Sequence, residues 1–245
     1  MNLLIPKENI LFLDIETVPE VELFEDLSEI KKELFTIKTN YQRKPKTVIE
    51  TETPVEEFYP KAGVWAEFGK IVCISVGYFV TQGEGRSFRV KSFYNEDEAV
   101  LLKEFKNLLE KHFSEKKHLL CGHNGKEFDF PFIARRMIIN RISLPLKLNL
   151  FGKKPWEIPH IDTLELWKFG DFKHYTSLKL LTTILDIPSP KDDIDGSQVA
   201  KVYYQEKDIK RIATYCEKDT IAVAQLFLRF NNEELLTEEE LVFAE

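Results

Sequence analysis

Three short stretches carry residue types that could do chemistry. Asp14-Ile15-Glu16 is the only Asp-x-Glu in the chain, and it ends the apolar run Ile10-Leu11-Phe12-Leu13. If that run is a strand, residues two apart point to one side, so both carboxylates project together from its end. A solvated strand end would also account for them, but acids that directly follow a core strand sit where uncompensated charge is costly. Cys121-Gly122-His123-Asn124-Gly125-Lys126-Glu127-Phe128-Asp129 runs from an apolar segment through an Asn-Gly turn to an Asp at a helix start. Turn chemistry and helix capping explain that stretch equally well. Tyr215 and Asp219 in Tyr215-Cys216-Glu217-Lys218-Asp219 are four apart and share one helical face. Tyr204 and Asp208 have the same spacing, but the apolar stripe that starts after Asp208 makes it a helix cap. Asp219 falls mid-helix, where Asp is a poor helix former, so Tyr215 and Asp219 are the pair chosen.

Asp14, Glu16, Asp129 and Asp219 become specific only together. Two carboxylates ~4 Å apart repel by roughly 4 kcal/mol at an effective dielectric of 20. Several such pairs would consume much of a typical domain's stability of about 5–15 kcal/mol. Such a cluster needs protons or cations, and hard oxygen ligands suit Mg²⁺ or Mn²⁺. Two such ions can activate a water and stabilise the leaving oxygen of a phosphodiester.

The elements that must position these side chains are legible in outline. Residues 9–16 read as a buried strand, and 71–80 with 86–94 as a hairpin turning at Gly83-Glu84-Gly85. Asn95, with Glu98 three residues on, resembles a capping box ahead of a helix striped by Leu101, Phe105, Leu108, Leu109 and His112. A short strand at 118–122 precedes a helix at 128–140. Residues 141–159 read as loop. Helices follow at 162–169 and 177–185, with Asp162 as a cap. The last long helix opens at Asp208, with Ile209, Ile212, Ala213, Cys216, Thr220, Val223, Ala224 and Phe227 on one face. Residues 20–68 are charged and patchy, with 38–53 read as an exposed loop, and the acidic tail 231–245 as peripheral. There are no internal repeats. This order predicts an α/β fold with a mixed sheet flanked by helices, organised as one domain over 1–245.

Composition narrows the class. The chain has 245 residues, 43% hydrophobic, enough for a sizeable core. Its net charge of −7 argues against coating nucleic acid by bulk electrostatics, though not against gripping a few phosphates. No stretch approaches the ~18 apolar residues of a membrane span, and the first residues do not read as a signal peptide. Cys73, Cys121 and Cys216 form no CxxC pair, so neither a disulfide framework nor a zinc site is suggested, and a cytoplasmic setting is expected.

On these three motifs the chain resembles the DEDD exonuclease superfamily in its tyrosine-bearing branch. It is most similar to the proofreading exonuclease domain of family B DNA polymerases, especially over Gly122-His123-Asn124 to Phe128-Asp129-Phe130-Pro131-Phe132-Ile133 and Arg135-Arg136. The resemblance covers roughly residues 8–230 and implies a ribonuclease H-like fold and 3'→5' removal of nucleotides; the sequence departs from the polymerases in length, with no room for palm, fingers and thumb, so a free-standing exonuclease is expected. It implies that Asp14 bridges two metals, that Glu16 and Asp219 hold the one that activates water, and that Asp129 binds the second. Tyr215 would orient that water; a tyrosine pKa of about 10 makes it a poor base. Thr17 and Asn124 are candidates for contact with the terminal nucleotide, as is Phe128, which core packing explains better. Lys126, Arg135, Arg136, Lys153 and Lys154 are candidate phosphate contacts, each also explicable as surface charge. Asp195-Gly196-Ser197 is similar to a loop near the family's site, although capping accounts for it equally. His123 and His160 lack metal-ligand spacing. Single-stranded 3' ends of DNA are the expected substrate and protein partners are undetermined. An RNA exonuclease like ribonuclease D, or an inactive nucleic-acid-binding domain, are the alternatives.

Overall fold

A computed structural model describes residues 5–45, 51–83, 85–171, 175–188 and 194–244. Six strands form one mixed sheet: β1 (Ile10–Pro19), β2 (Gly69–Gln82), β3 (Gly85–Tyr94), β4 (Leu119–Gly122), β5 (Ile161–Asp162) and β6 (Leu241–Phe243), in the order β5-β4-β1-β2-β3-β6. β1, β2 and β3 are antiparallel neighbours. β4 runs parallel to β1, β5 to β4, and β6 to β3. The expected α/β architecture with a mixed sheet is the observed one, and it is consistent with the ribonuclease H-like fold of exonucleases.

The helices are α1 (Glu29–Arg43), α2 (Val55–Phe58), α3 (Glu98–His112), α4 (Asp129–Ile139), α5 (Thr163–Lys168), α6 (Leu178–Ile184), α7 (Val199–Lys201) and α8 (Ile209–Phe230). Alternation along β1 sorts its side chains between two layers. Leu11, Leu13 and Ile15 join Leu101, Phe105, Phe130 and Ile133 of α3 and α4. Ile10 and Phe12 face the other way, onto Val223 and Phe227 of α8. Phe12 there packs edge-on against Phe79, Phe88 and Phe227 at 5.5–5.8 Å. Asp14 and Glu16 continue this second set, so the pleat aims both at α8. A register shift between Glu16 and Thr17 then breaks the ladder with β2.

Helix starts follow local capping chemistry. Asp162 accepts from the Leu164 amide, Ser177 from Leu180 and Asp208 from Arg211, as expected for Asp162 and Asp208. The start of α3 differs from expectation. Asp97, not Asn95, is the cap, and Glu98 does not reach back to it. Glu98 is buried and grips the Arg136 guanidinium through both Nε and Nη2, while also accepting from the Ile71 amide and Asn140. Arg136 is therefore a structural ion pair, not a phosphate contact.

Three further expectations change. Residues 38–43 belong to α1, not to an exposed loop; Phe35, Thr39 and Arg43 give that helix a buried face, and 46–50 lie outside the described residues. Phe24, Phe35, Phe58, Tyr59 and Phe68 build a separate aromatic cluster within the 20–68 segment. The tail is integrated, since β6 extends the sheet, Leu236 is buried and Arg86 pairs with Glu240. The turn residue Glu84 lies outside the described residues. None of the helices described is long and apolar enough to cross a membrane.

Candidate active site

Asp14, Asp129, Tyr215 and Asp219 line one cleft of about 850 Å³, together with Asn124 and Phe128. Each comes from a different local device. Asp14 and Glu16 lie within β1, which runs on to Pro19 instead of ending at the acids as expected, and they project on the α8 side. Glu16 lies deeper, 8% exposed, and is paired across the ladder with Cys73. Asp219 and Tyr215 lie one turn apart on α8, and the tyrosine hydroxyl is hydrogen-bonded to the Asp219 carboxylate. Asp129 is the first residue of α4, 3% exposed, and accepts from its own amide and that of Ile15. A helix N-terminus favours an anion there.

The turn that delivers Asp129 depends on two glycines and an aspartate. Gly122 and Gly125 meet backbone to backbone, so that a Cβ on Gly125 would stand 3.1 Å from the Gly122 Cα and 2.9 Å from the Phe130 ring. Asn124 takes the left-handed conformation at φ 62°, which asparagine tolerates. Asp162, buried at the end of β5, accepts from the Asn124 amide at 2.9 Å and the Lys126 amide at 3.0 Å. It thus holds the turn as well as capping α5. This second role had no signal in the sequence, because it depends on β5 lying beside β4.

Burial and mutual repulsion dominate the electrostatics. Desolvation, then the charges of Asp129, Asp219 and Glu16, push the Asp14 carboxyl well above its ordinary range. Glu16 is pushed well up by desolvation and then by Asp219, Cys73 and Asp129. Desolvation raises Asp129 to about 7, against the lowering by its backbone hydrogen bonds. Among the described residues, no cationic side chain is a cause of any of the three shifts. Desolvation followed by the negative charges of Asp219, Glu16 and Asp14 raises the Tyr215 phenol, which stays protonated.

Cys216 is a neighbour that motif reasoning passed over as part of the apolar stripe of α8. Its thiol donates to the Asp14 carbonyl at 3.4 Å and to Asp14 Oδ2 at 3.5 Å. Asp14, Glu16 and Cys216 bring one potential ligand atom each within 4.8 Å of one another. Tyr175, Lys179 and Asp195 also line the cleft. The Tyr175 phenol is raised by burial and by the charges of Asp129, Asp14 and Asp162, which places its ring beside the acids. Asp195 belongs to the Asp195-Gly196-Ser197 stretch that the resemblance set near the site, whereas the motif-free segments of Tyr175 and Lys179 gave the sequence reading little to find them by.

Of the other candidates, Phe128 and His123 border the cleft and the rest lie away from its lining. The Thr17 hydroxyl donates to the Gly63 carbonyl at 2.8 Å, away from the cleft lining. Phe128 packs on the α3–α4 core and reaches the cleft with part of its ring. Lys126 pairs with Glu165 at 2.7 Å, whereas Arg135, Lys153 and Lys154 are exposed. The Tyr204 hydroxyl bonds the Pro19 carbonyl, and Asp208 caps α8. His123 bridges Thr163 Oγ1 and the Thr176 carbonyl, and His160 bridges the Leu120 amide and the Lys147 carbonyl. Burial lowers both imidazoles, His160 to about 4.

Compared with known families, residues 64–242 match a model described as a predicted 3'-5' exonuclease related to the exonuclease domain of PolB. That span contains Asp129, Tyr215 and Asp219; Asp14 and Glu16 lie before it. A match over most of the sequence, on a mixed sheet carrying an acidic cleft, settles the family: the chain belongs to the predicted 3'-5' exonucleases related to the exonuclease domain of PolB.

Proposed function

We propose that this chain is a DEDD-type exonuclease of the tyrosine-bearing branch, which removes nucleotides from single-stranded 3' ends of DNA with two Mg²⁺ or Mn²⁺ ions. The observation that carries this reading is that Asp14, Asp129 and Asp219 line one cleft with Glu16 buried close enough to raise Asp14, while no cationic side chain among the described residues offsets Asp14, Glu16 or Asp129. The donor set fits the ions. Clustered carboxylate oxygens are hard ligands, and their burial is costly until positive charge joins them. Asp14, Glu16 and Asp219 would hold one ion and Asp14 with Asp129 the other. Bound there, the ions supply an activated water and charge neutralisation at the phosphate and the leaving oxygen.

The chain's own groups do the positioning. The Cys216 thiol and the close packing of α8 on β1 fix Asp14. Asp219 holds the Tyr215 hydroxyl, which is protonated and so orients the attacking water by hydrogen bonding without removing its proton. Asn124 and the exposed part of Phe128 stand beside Asp129, where they would meet the sugar and base of the terminal nucleotide. Thr17 would offer its backbone from the bulge after Glu16. The described elements would act as one catalytic unit, with the cytoplasm as the expected compartment.

The test is incubation with 5'-labelled single strands of DNA and of RNA, with Mn²⁺ or with EDTA. Stepwise, metal-dependent shortening of DNA is expected. Preference for RNA would replace the substrate, and binding without shortening of either strand would replace the enzyme by a binding domain. Asp14→Ala is expected to abolish shortening while the far-ultraviolet circular dichroism stays that of the wild type.

A further inference from the structure

Helix α1 carries two opposed faces. Phe35, Thr39 and Arg43 are buried against the body of the protein. Ile30, Leu34, Ile37 and Tyr41 are 60%, 49%, 64% and 84% exposed. At ~100° per residue the two sets point about 170° apart, so the second set faces straight away from the protein. Scattered apolar residues on a surface need no explanation. Four large ones aligned on one helix, and spaced four, three and four, have the spacing of the seam of a two-stranded coiled coil. The helix lies outside the span that matches the exonuclease family.

We propose that this stripe is the interface of a parallel, two-fold symmetric dimer of this chain, with α1 packed against α1 of a second copy. The charges beside the seam select this occupant and this direction. Lys31 and Lys38 flank it on one side; Glu33 and Asn40 flank it on the other. In a parallel pair, Glu33 of each copy stands beside Lys38 of the other, five residues further on, and two-fold symmetry makes that contact twice. An antiparallel pair sets the lysine flank against itself. Within the chain, Lys31 pairs with Glu20, and Lys38 reaches Glu67 only at 3.6 Å, with both of its partners exposed. Such an exposed contact is weak and does not hold Lys38 away from Glu33 of the second copy. Because the buried face is opposite the seam, the two bodies would lie on the outside of the helix pair. The seam is short, ~18 Å for twelve residues, so a dimer that dissociates on dilution is expected.

Sedimentation velocity of the intact protein between about 1 and 200 µM tests this. The wild type is expected to shift from monomer to dimer as concentration rises. Ile37→Glu is expected to remain monomeric throughout, with the wild-type Tm at concentrations where the wild type is itself monomeric, since the site is on the surface. Glu33→Lys and Lys38→Glu are each expected to weaken association at least about tenfold, and the two together to restore it. Oxidation of Ile37→Cys is expected to give a covalent dimer, because a parallel pair sets residue 37 against itself. The wild type, with Cys73, Cys121 and Cys216 all buried, should not crosslink. A wild type that stays monomeric at every concentration, or an Ile37→Glu protein that dimerises like the wild type, overturns the proposal. Association without rescue by the double charge reversal, and without crosslinking at residue 37, overturns the parallel arrangement. None of these readouts depends on nuclease activity.

Discussion

At the scale of single residues, the proposed account puts Asp129 under opposing demands. Its folded-state pKa is raised from an ordinary 3.8 to about 7. The folded protein therefore binds that proton more tightly than the unfolded chain does. The corresponding stability is present in full below about pH 4 and is lost as pH rises through about 7. Without metal, Asp129→Asn is expected to be more stable than the wild type above pH 7, by a margin that vanishes near pH 4; urea titrations in EDTA at several pH values measure it. Saturating Mn²⁺ is expected to reverse the order, because divalent ions stabilise the state that binds them and compete with protons for the same oxygens. Equal stability of the two proteins at every pH would mean that Asp129 carries no such penalty. Tyr215→Phe removes a hydroxyl already bonded to Asp219. Expected is a loss in kcat of about 10²-fold, the scale for removing one positioned hydrogen-bonding group. Unchanged KM and Mn²⁺ affinity would separate that loss from damage to the site.

At the scale of elements, what was legible in the sequence is what local chemistry determines. Period-two alternation gives β1 and sends Asp14 and Glu16 to one side; the stripe from Ile209 to Phe227 gives α8 and places Tyr215 with Asp219. What was not legible depends on partners distant in sequence. Glu98 has the spacing of a capping residue, yet Arg136, 38 positions away, claims it. Asp162 reads as the cap it is, but nothing local reveals that it also holds the Asn124 turn. Both points are open to measurement. Glu98→Ala leaves a buried guanidinium without its partner and is expected to cost about 3–5 kcal/mol, read by urea denaturation. Asp162→Ala removes a cap worth about 1 kcal/mol and frees the turn ahead of Asp129. Its signature is expected to be a fall in kcat larger than that modest destabilisation explains. A variant of full activity would show that the turn holds its shape without this carboxylate.

At the scale of the whole molecule, the sheet divides the labour. One face is closed by α3 and α4 over an apolar layer; the other carries α8, whose packing on β1 is apolar at Phe12 and acidic two and four residues later. Folding α8 onto β1 therefore assembles the cleft, from residues more than two hundred positions apart. Segment 20–68 and the tail were the least legible parts. The first is held by its own aromatic cluster, and the second by a three-residue strand too short to leave a pattern. The central claim is that Asp14, Glu16, Asp129 and Asp219 jointly bind divalent ions in that cleft. Electron paramagnetic resonance of free Mn²⁺, titrated with protein, counts the ions bound without any need for turnover. The account predicts binding by the wild type, with most of it lost in both Asp14→Asn and Asp219→Asn although their folds are intact. Wild-type binding that survives both substitutions would contradict it.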